Sequence, residues 1–421
     1  MPEICQASLL ARRRMAARLN SIPARLVPLG SIYPGILTMF LTDEELRKIT
    51  AFRRELHQKP EVSGDEAQTA LRLKEELSLT GPDSVVTGIG GHGLAAVYGA
   101  EPGPTVLIRA ELDGLPIQEI SDVAYRSTVP GRGHLCGHDG HMAILMALAK
   151  GLGRDRPTRG RAILMFQPAE ENGAGAAAVL ADPKFAALVP DMSLSLHNFP
   201  GVRLGHVLLR EGPVNCASRG MRIVLRGKTS HASNPEQGIA PTFAVARLLD
   251  SLTGLGNNGP LGPDYSLVTV THARLGEPAF GISPGEAQIW ATLRTLTDEA
   301  MATLVSRAEE LVESEARARQ LQVDISYEDV FGQCCNSPEA VAQLRRALDE
   351  EGVSHDAVNS LLPMKASEDF GLFLTVAPAA MFFLGAGEDH PRLHNPDYDF
   401  PDALIAIGAR VFMRVIRNIL G

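Results

Sequence analysis

Residues 136–142 read Cys-Gly-His-Asp-Gly-His-Met, and the apolar run at 143–148 that follows them predicts a helix. Cys136 and His138 alternate, so at an extended strand end both side chains would point the same way and could bind one cation. Asp139 suits the turn that begins the helix, where its carboxylate would cap exposed N–H groups. Because a single Cys-x-His pair is common by chance, the motif indicates a metal site only if distant segments supply further ligands.

Polar side chains follow several predicted strands at the point where each strand ends. The run at 161–166 is continuously apolar, as in a strand buried on both faces, and it leads to Glu170 and Glu171. The other strand ends carry Glu111 and Asp113 after 105–110, His197 after 192–196 and His394 after 380–384. Strands that alternate with helices predict an α/β fold with a doubly wound, mostly parallel sheet. Ligands bind at the carboxyl edge of such sheets.

The order of predicted helices and strands changes between residues 217 and 331. There the predicted order is β-α-β-β-α-β, which is typical of a small ferredoxin-like α+β domain. We therefore expect an N-terminal extension at 1–41 and a catalytic domain in two parts, 42–216 and 332–421, interrupted by an inserted domain at 217–331.

The N-terminal extension is rich in arginine. The first 38 residues carry five arginines against one acid, Glu3, a composition found in organelle transit peptides. The interpretation we favour is an upstream extension or a disordered tail, with Met39 as the functional start. Thr42 with Glu45 three residues later forms a capping box and predicts the first helix.

Composition excludes several classes of protein. The net charge of −9 and the lack of a basic stripe in the main body argue against a nucleic-acid partner. No apolar stretch approaches the roughly 18 residues of a membrane span, so we expect no membrane partner. The five cysteines are odd in number and irregularly spaced, which indicates a reducing compartment, the cytoplasm, rather than a disulfide framework.

The strand-end residues form one candidate metal centre: Cys136, His138, Glu171, His197 and His394, with Glu170 beside them. Five ligands exceed the three that a catalytic zinc needs besides water, and they suit two divalent cations. Two such cations about 3.5–4 Å apart polarise a carbonyl and lower the pKa of bound water. One carboxylate of the Glu170–Glu171 pair would then bind metal, while the other would transfer the proton. The thiolate and imidazoles favour zinc, and oxygen ligands tolerate manganese.

The chain resembles the aminoacylase and hippurate hydrolase group of dinuclear metallo-amidohydrolases, which includes plant auxin-conjugate hydrolases. The resemblance covers residues 42–421 and rests on motifs that occur here in the same order. They are Arg-Arg-x-Leu-His-x-x-Pro-Glu at 53–61, Cys-Gly-His-Asp-Gly-His at 136–141, Gln-Pro-Ala-Glu-Glu at 167–171, Leu-His-Asn at 196–198, Gly-Lys-x-x-His at 227–231, Ser-Glu-Asp-Phe at 367–370 and Leu-His-Asn-Pro-x-Tyr-Asp-Phe at 393–400. One departure is Glu111-Leu-Asp113, where relatives more often have Asp-Met-Asp.

The resemblance implies an enzyme that cleaves the amide bond of N-acyl amino acids or similar small conjugates. The positions that match the family's metal ligands are Cys136, His138, Glu171, His197 and His394. Glu170 matches the general base. His231 matches a histidine that stabilises the oxyanion, often from the other subunit, and the inserted domain matches a lid through which such enzymes form homodimers. Two alternatives stay open: a dipeptidase of the same fold, and a catalytically silent binding protein.

Several residues receive weaker assignments. Arg294, on a strand of the inserted domain, would bind a substrate carboxylate or form a structural salt bridge, and Asn395 is a second candidate for substrate binding. Asp113, Asp139 and His141 are candidates for supporting the ligands. We expect His57 to buttress two helices, and four other histidines (His134, His206, His272 and His390) to be ordinary surface or loop residues.

Overall fold

The computed structural model describes residues 40–356 and 361–421. The predictions for the arginine-rich leader and for Met39 lie outside these residues. The helices are α1 (Asp43–His57), α2 (Ala67–Ser78), α3 (His138–Arg154), α4 (Gly175–Ala181), α5 (Thr242–Thr253), α6 (Asp298–Ala318), α7 (Pro338–Glu350) and α8 (Ala403–Leu420). Short 3₁₀ turns cover Pro183–Ala187, Pro235–Gln237 and Asp369–Thr375.

The strands divide between one large sheet, a second sheet and two short ladders. They are β1 (Ser84–Ile89), β2 (Gly93–Tyr98), β3 (Thr105–Glu111), β4 (Arg161–Gln167), β5 (Met192–Pro200), β6 (Val207–Leu208), β7 (Gly212–Asn215), β8 (Ala217–Arg226), β9 (Ser230–His231), β10 (Ser266–Leu275), β11 (Ile282–Ser283), β12 (Glu286–Thr295), β13 (Gln322–Phe331), β14 (Cys334–Asn336) and β15 (Ala379–Gly387).

Local chemistry sets the start of the first helix. The Thr42 hydroxyl accepts a hydrogen bond from the Glu45 backbone N–H at 3.2 Å, and the Glu45 carboxylate accepts one from the Thr42 N–H at 2.8 Å. This reciprocal pair satisfies two N–H groups that would otherwise lack partners at the helix end. The predicted capping box is confirmed.

The large sheet has the order β1-β2-β4-β3-β5-β15-β6. Its four central strands, β4, β3, β5 and β15, run parallel, whereas β1, β2 and β6 join antiparallel at the edges. The predicted α/β class with a mostly parallel core is therefore confirmed, and the sheet as a whole is mixed. Since the central strands are parallel, their carboxyl ends meet at one edge.

Both faces of this sheet are covered, as β15 shows. Phe382 packs against Phe412 of α8 with ring centroids 5.3 Å apart. Met381 and Phe383, its neighbours along the strand, face a different cluster that includes Phe370 and residues of α4. Because successive strand residues point to opposite faces, a strand buried on both sides must be apolar throughout, which explains the unbroken run in β15.

The second sheet has the order β10-β12-β8-β13, and all its pairs are antiparallel. Helices α5 and α6 pack on it and share one apolar core with it. The chain leaves the large sheet through β7 and returns through β14, which pairs with β7. The division of the chain into domains stays a prediction.

Two global properties bear on function. No helix within the described ranges is long and apolar enough to cross a membrane. The cysteines described there, Cys136, Cys216, Cys334 and Cys335, are all unpaired.

Candidate metal centre and active site

The 136–142 motif lies in a turn that enters α3, not at a strand end as we expected. Gly137 is the N-cap of α3, with φ +93°, and His138 is the first helical residue. A Cβ at Gly137 would lie less than 3.0 Å from three side-chain atoms of Asn198. Glycine is needed here both for the left-handed backbone and for the close approach of Asn198, and the turn directs Cys136 and His138 to one site.

The structure brings all five predicted ligands together. Cys136 Sγ lies 3.4 Å from His197 Nε2, and His394 Nε2 lies 3.5 Å from a Glu171 carboxylate oxygen. His138 Nε2 lies 3.9 Å from the other oxygen of Glu171. Overlapping groups of three residues, with donor atoms within 4.8 Å of one another, connect the whole set. Four separate segments of the chain thus converge at the carboxyl edge of the parallel strands.

The donor atoms are held as a metal site requires. His138 Nδ1 donates to the Asp113 carbonyl at 2.8 Å, which leaves the lone pair of Nε2 facing the cluster. His197 Nδ1 donates in the same way to the Asn198 carbonyl at 2.9 Å. Both His138 Nε2 and Glu171 Oε1 are buried without a hydrogen-bond partner among the described residues. Buried atoms of this kind are rarely left unsatisfied, so the residues present fit bound cations.

The electrostatics agree with this fit. Burial, reinforced by Glu171 and Glu170, raises the pKa of the Cys136 thiol well above its usual value. Burial also raises the pKa of Glu171 to about 7. Anionic donors crowded into a buried site are stabilised by added positive charge, and a bound cation lowers their pKa values.

Asp113 lies directly behind two of the ligands. One oxygen accepts hydrogen bonds from the Glu171 backbone N–H at 3.0 Å and from the Ser63 hydroxyl at 2.7 Å. The other oxygen is 3.4 Å from His138 Nδ1. Through these contacts Asp113 fixes the orientation of His138 and the backbone of Glu171.

His141 is enclosed by protein acceptors. Its Nδ1 lies 2.6 Å from a Glu111 oxygen and its Nε2 lies 2.6 Å from Asn198 Oδ1. The Asn198 amide nitrogen in turn donates to the Cys136 carbonyl at 3.1 Å. Both ring nitrogens are thus engaged, and the geometry places His141 beside the ligands as a support. The Glu111 side chain is one methylene group longer than the aspartate that relatives more often have, and it contacts His141 here.

Asp139 does not cap α3, and the prediction that it would is wrong. Its carboxylate is buried and accepts from Arg53 at 3.1 Å and from His57 Nδ1 at 2.9 Å. Burial opposes ionisation, but Arg53 and His57 hold the pKa of this carboxyl well below its usual range. Hydrogen bonds from the two buried, positively charged side chains of Arg53 and His57 stabilise the Asp139 carboxylate more than exposed N–H groups would. His57, whose Nε2 lies 3.2 Å from Glu119, joins Asp139 of α3 to the loop after β3.

His134 lies in a loop, as expected, but it is not at the surface. It is 1% exposed, and neither ring nitrogen has a hydrogen-bond partner among the described residues. Burial lowers its pKa to about 4, so the ring is neutral. His206 and His390 are half-buried and His272 is exposed.

A buried network around Arg109 escaped the sequence analysis. Arg109, in the middle of β3, donates to Gln167 at 3.0 Å and to Asp369 at 2.6 Å, and it also pairs with Glu111 and Glu368. Burial raises the pKa of Asp369 to about 7. An arginine inside an otherwise apolar strand was the available signal, because a buried guanidinium requires acidic partners.

Glu170 differs from Glu171 in its neighbours: Glu171 also lies with Cys136 and His394, whereas Glu170 lies with Glu368 and Asp369. One oxygen of Glu170 lies 3.9 Å from His138 Nε2, and the carboxylate makes no hydrogen bond with any described residue. Burial, together with Glu368 and Glu171, raises its pKa well above the usual range. A carboxyl group beside the ligands with a raised pKa is suited to exchange protons.

The remaining candidates belong to none of the groups of possible ligands. His231 is exposed on β9, where its Nδ1 lies 2.7 Å from the Ser233 hydroxyl. Arg294 on β12 donates to the Ser367 hydroxyl at 2.7 Å and to the Lys365 carbonyl. Arg294 has no carboxylate partner among the described residues, so the structure does not support the alternative of a structural salt bridge. Asn395 is exposed beside His394.

Comparison with known proteins identifies the family. The profile of the peptidase family M20/M25/M40 matches residues 107–418. The chain belongs to this family. One of its relatives is the N-acetyl-L-cysteine deacetylase of Bacillus subtilis strain 168, which is 30% identical over an alignment that covers 85% of each chain. The IAA-amino acid hydrolase ILR1-like 4 of Arabidopsis thaliana is 27% identical and covers 90% of this chain and 88% of its own.

A solved structure supports the M20 fold. The YXEP protein of Bacillus subtilis, described as a dinuclear metal binding peptidase from the M20 family, aligns with a TM-score of 0.74 at 24% identity. The alignment covers 90% of this chain and 99% of that chain. The resemblance to metallo-amidohydrolases drawn from the motifs is confirmed.

Proposed function

We propose that this M20 chain hydrolyses the amide bond of N-acyl amino acids and similar small conjugates at a pair of divalent cations. Membership in the family supports metal-dependent amide hydrolysis as the reaction class. The observation that carries the assignment is the convergence of five candidate ligands beside the Glu170 carboxylate, where His138 Nε2 has no hydrogen-bond partner among the described residues.

The residues divide the chemistry between them. Cys136, His138, Glu171, His197 and His394 would hold the cations, which polarise the scissile carbonyl and lower the pKa of water when bound. Glu170 takes the proton from the attacking water and delivers it to the leaving amine, a contribution of about 10²–10⁴ in rate.

The ligand set bears on the number and kind of ions. Five donors, with Glu171 offering both oxygens to different neighbours, exceed what one tetrahedral zinc takes up. Three imidazoles and a thiolate favour zinc, and the carboxylates also accept manganese.

Substrate binding involves the second sheet. Arg294 has no acidic partner within the described ranges. It donates a hydrogen bond to Ser367, and the next residue, Glu368, lies in one cluster of carboxylates with Glu170. We assign Arg294, with Asn395, to the substrate's free carboxylate. His231 lies exposed on the β9–β11 ladder, so it is free to meet another subunit. We propose a homodimer formed through the inserted domain as a lid, in which His231 stabilises the oxyanion of the partner's site.

The unpaired cysteines support a reducing compartment, and we propose the cytoplasm.

One experiment tests the function. The purified protein is analysed for metal content and assayed against N-acetyl, N-benzoyl and indoleacetyl amino acids, with and without chelator. About two metals per chain and chelator-sensitive amine release are expected. Turnover of dipeptides alone would favour the dipeptidase, and bound metal without any turnover would favour a silent binding protein. Absence of metal after reconstitution with zinc or manganese would refute the proposal.

A further inference from the structure

The turn that carries Glu170 has an unusual backbone. Ala169, the residue before Glu170, has φ +52°, in the left-handed region that residues with a Cβ seldom adopt. Such a conformation persists only where the surroundings enforce it. The Ala169 carbonyl accepts from the Gly175 N–H at 2.9 Å, which closes the turn on one side.

The other side of the turn is held by Glu66, which lies just before α2. Glu66 is completely buried, and its Oε1 accepts from the Ala169 N–H at 2.8 Å and from the Gly64 N–H at 2.9 Å. Its second oxygen is buried without a partner among the described residues. A buried carboxyl group with an unsatisfied oxygen is costly, so its presence at this position calls for an explanation.

Two carboxylates therefore bracket Glu170 through the backbone. Glu66 holds the N–H of the preceding residue, Ala169, and Asp113 holds the N–H of the following residue, Glu171, at 3.0 Å. The Glu170 carboxylate itself makes no hydrogen bond with any residue in the described ranges. Its position is thus set by the backbone on either side, because nothing fixes the side chain directly.

We propose that Glu66 is a positioning residue for Glu170, which acts by holding Ala169 in its left-handed conformation. This inference rests on the proposed role of Glu170 as general base. Among the described residues, the Glu66 side chain makes no hydrogen bond to the proposed ligands or to Glu170; it bonds the backbone N–H groups of Gly64 and Ala169. Its side chain places a hydrogen-bond acceptor at the Ala169 N–H. We therefore expect kcat to depend on the length of this side chain and not on its charge.

Two conservative variants of Glu66 separate the effect of side-chain length from the effect of charge. Glu66→Gln keeps the length and the Oε1 acceptor but removes the charge. Glu66→Asp keeps the charge and withdraws the acceptor from Ala169 by one methylene group. A misplacement of about 1 Å can lower a rate about 10²-fold. We expect Glu66→Asp to lower kcat at least about tenfold with KM and metal content unchanged, and Glu66→Gln to stay within about threefold of the wild type.

Glu61 offers a matched control on the same segment. Its carboxylate accepts from the Thr69 N–H at 2.7 Å and from the Thr69 hydroxyl at 2.9 Å, so it also supports α2, but it makes no hydrogen bond to residues 169–171. Glu61→Asp and Glu61→Gln are expected to change stability without lowering kcat. If Glu61→Asp lowers kcat as much as Glu66→Asp, the effect is a general one of the segment and the proposal fails.

A second readout does not depend on catalysis. Hydrogen exchange of the peptide spanning 166–176 is measured in the metal-free protein, where loss of the Glu66 contact should speed exchange at the turn. We expect faster exchange in Glu66→Asp only. Unchanged exchange and kcat in Glu66→Asp, or a Glu66→Gln enzyme as impaired as Glu66→Asp, would overturn the positioning role. If the wild type hydrolyses no amide, the proposed function fails, while the exchange result still decides whether Glu66 holds the turn.

Discussion

Replacing Gly137 with alanine tests the geometry of the metal-binding turn. Gly137 has φ +93°, and a residue with a Cβ in the left-handed region costs about 1–2 kcal/mol. The new Cβ would also lie less than 3.0 Å from Asn198 atoms, so that side chain must move. Asn198 would then lose contacts with His141, Cys136 and Tyr398, which lie at 2.6, 3.1 and 2.6 Å.

The expected loss follows from these contacts. Each hydrogen bond contributes about 0.5–1.5 kcal/mol, so three bonds plus the backbone term come to about 3–6 kcal/mol. That is a large part of the roughly 5–15 kcal/mol that stabilises a typical protein. Urea unfolding of the metal-free protein measures the change without the contribution of bound cations.

Gly81→Ala is the matched control. Gly81 has φ +66°, yet a Cβ there would meet nothing within 4 Å. Both substitutions change the unfolded chain in the same way, so the control isolates the backbone term of about 1–2 kcal/mol. Equal losses for the two variants would refute the argument that Asn198 requires glycine at position 137.

Four further predictions concern the site. Glu170→Gln should keep its metals and lose about 10²–10⁴ in kcat, and an unchanged kcat would remove Glu170 from the base role. His231→Ala should lower kcat with metal content intact, since the proposed role is oxyanion stabilisation; lost metal in elemental analysis would contradict it. Asp113→Ala should weaken metal binding about 10–100-fold in chelator competition, because the Glu171 backbone N–H loses its acceptor and the carboxylate beside His138 Nδ1 is removed, although the hydrogen bond from His138 to the backbone carbonyl at 113 remains. His57 has its pKa raised to about 9, against burial, by Asp139 and Glu119, so its stabilisation is present below about pH 6.5 and is lost as the pH rises towards 9. Urea unfolding should show this loss, on the order of 3 kcal/mol, in the wild type and not in His57→Gln.

The sequence was sufficient where chemistry follows from local pattern. Unbroken apolar runs predicted β4 and β15, and the capping box predicted α1. The rule that parallel strands share a carboxyl edge placed Glu171, His197 and His394 together although they are distant in sequence. The motif spacing predicted Cys136 and His138 as neighbours, although by way of a strand end instead of a turn.

The failures concern pairs of residues that only the tertiary fold brings together. Asp139 looked like a cap because nothing in its neighbourhood shows that Arg53 will be buried beside it. The Arg109–Asp369 pair joins residues that are 260 positions apart in the sequence, which no periodicity predicts. His134 illustrates the same limit, since its ring lies 6.4 Å from that of His57 on α1 and its burial depends on such distant neighbours, not on the pattern of its own segment.

The position of β15 has a consequence for synthesis of the chain. β15 pairs with β5, and it emerges from the ribosome only after the whole second sheet. Until then one edge of β5 stays unpaired, and an unpaired apolar strand edge is a template for aggregation. The second sheet closes through its own antiparallel pairs and can form early. The proposed metal centre cannot, because His394 follows the whole second sheet in the chain, so a nascent chain that has not yet reached His394 lacks one of the proposed ligands.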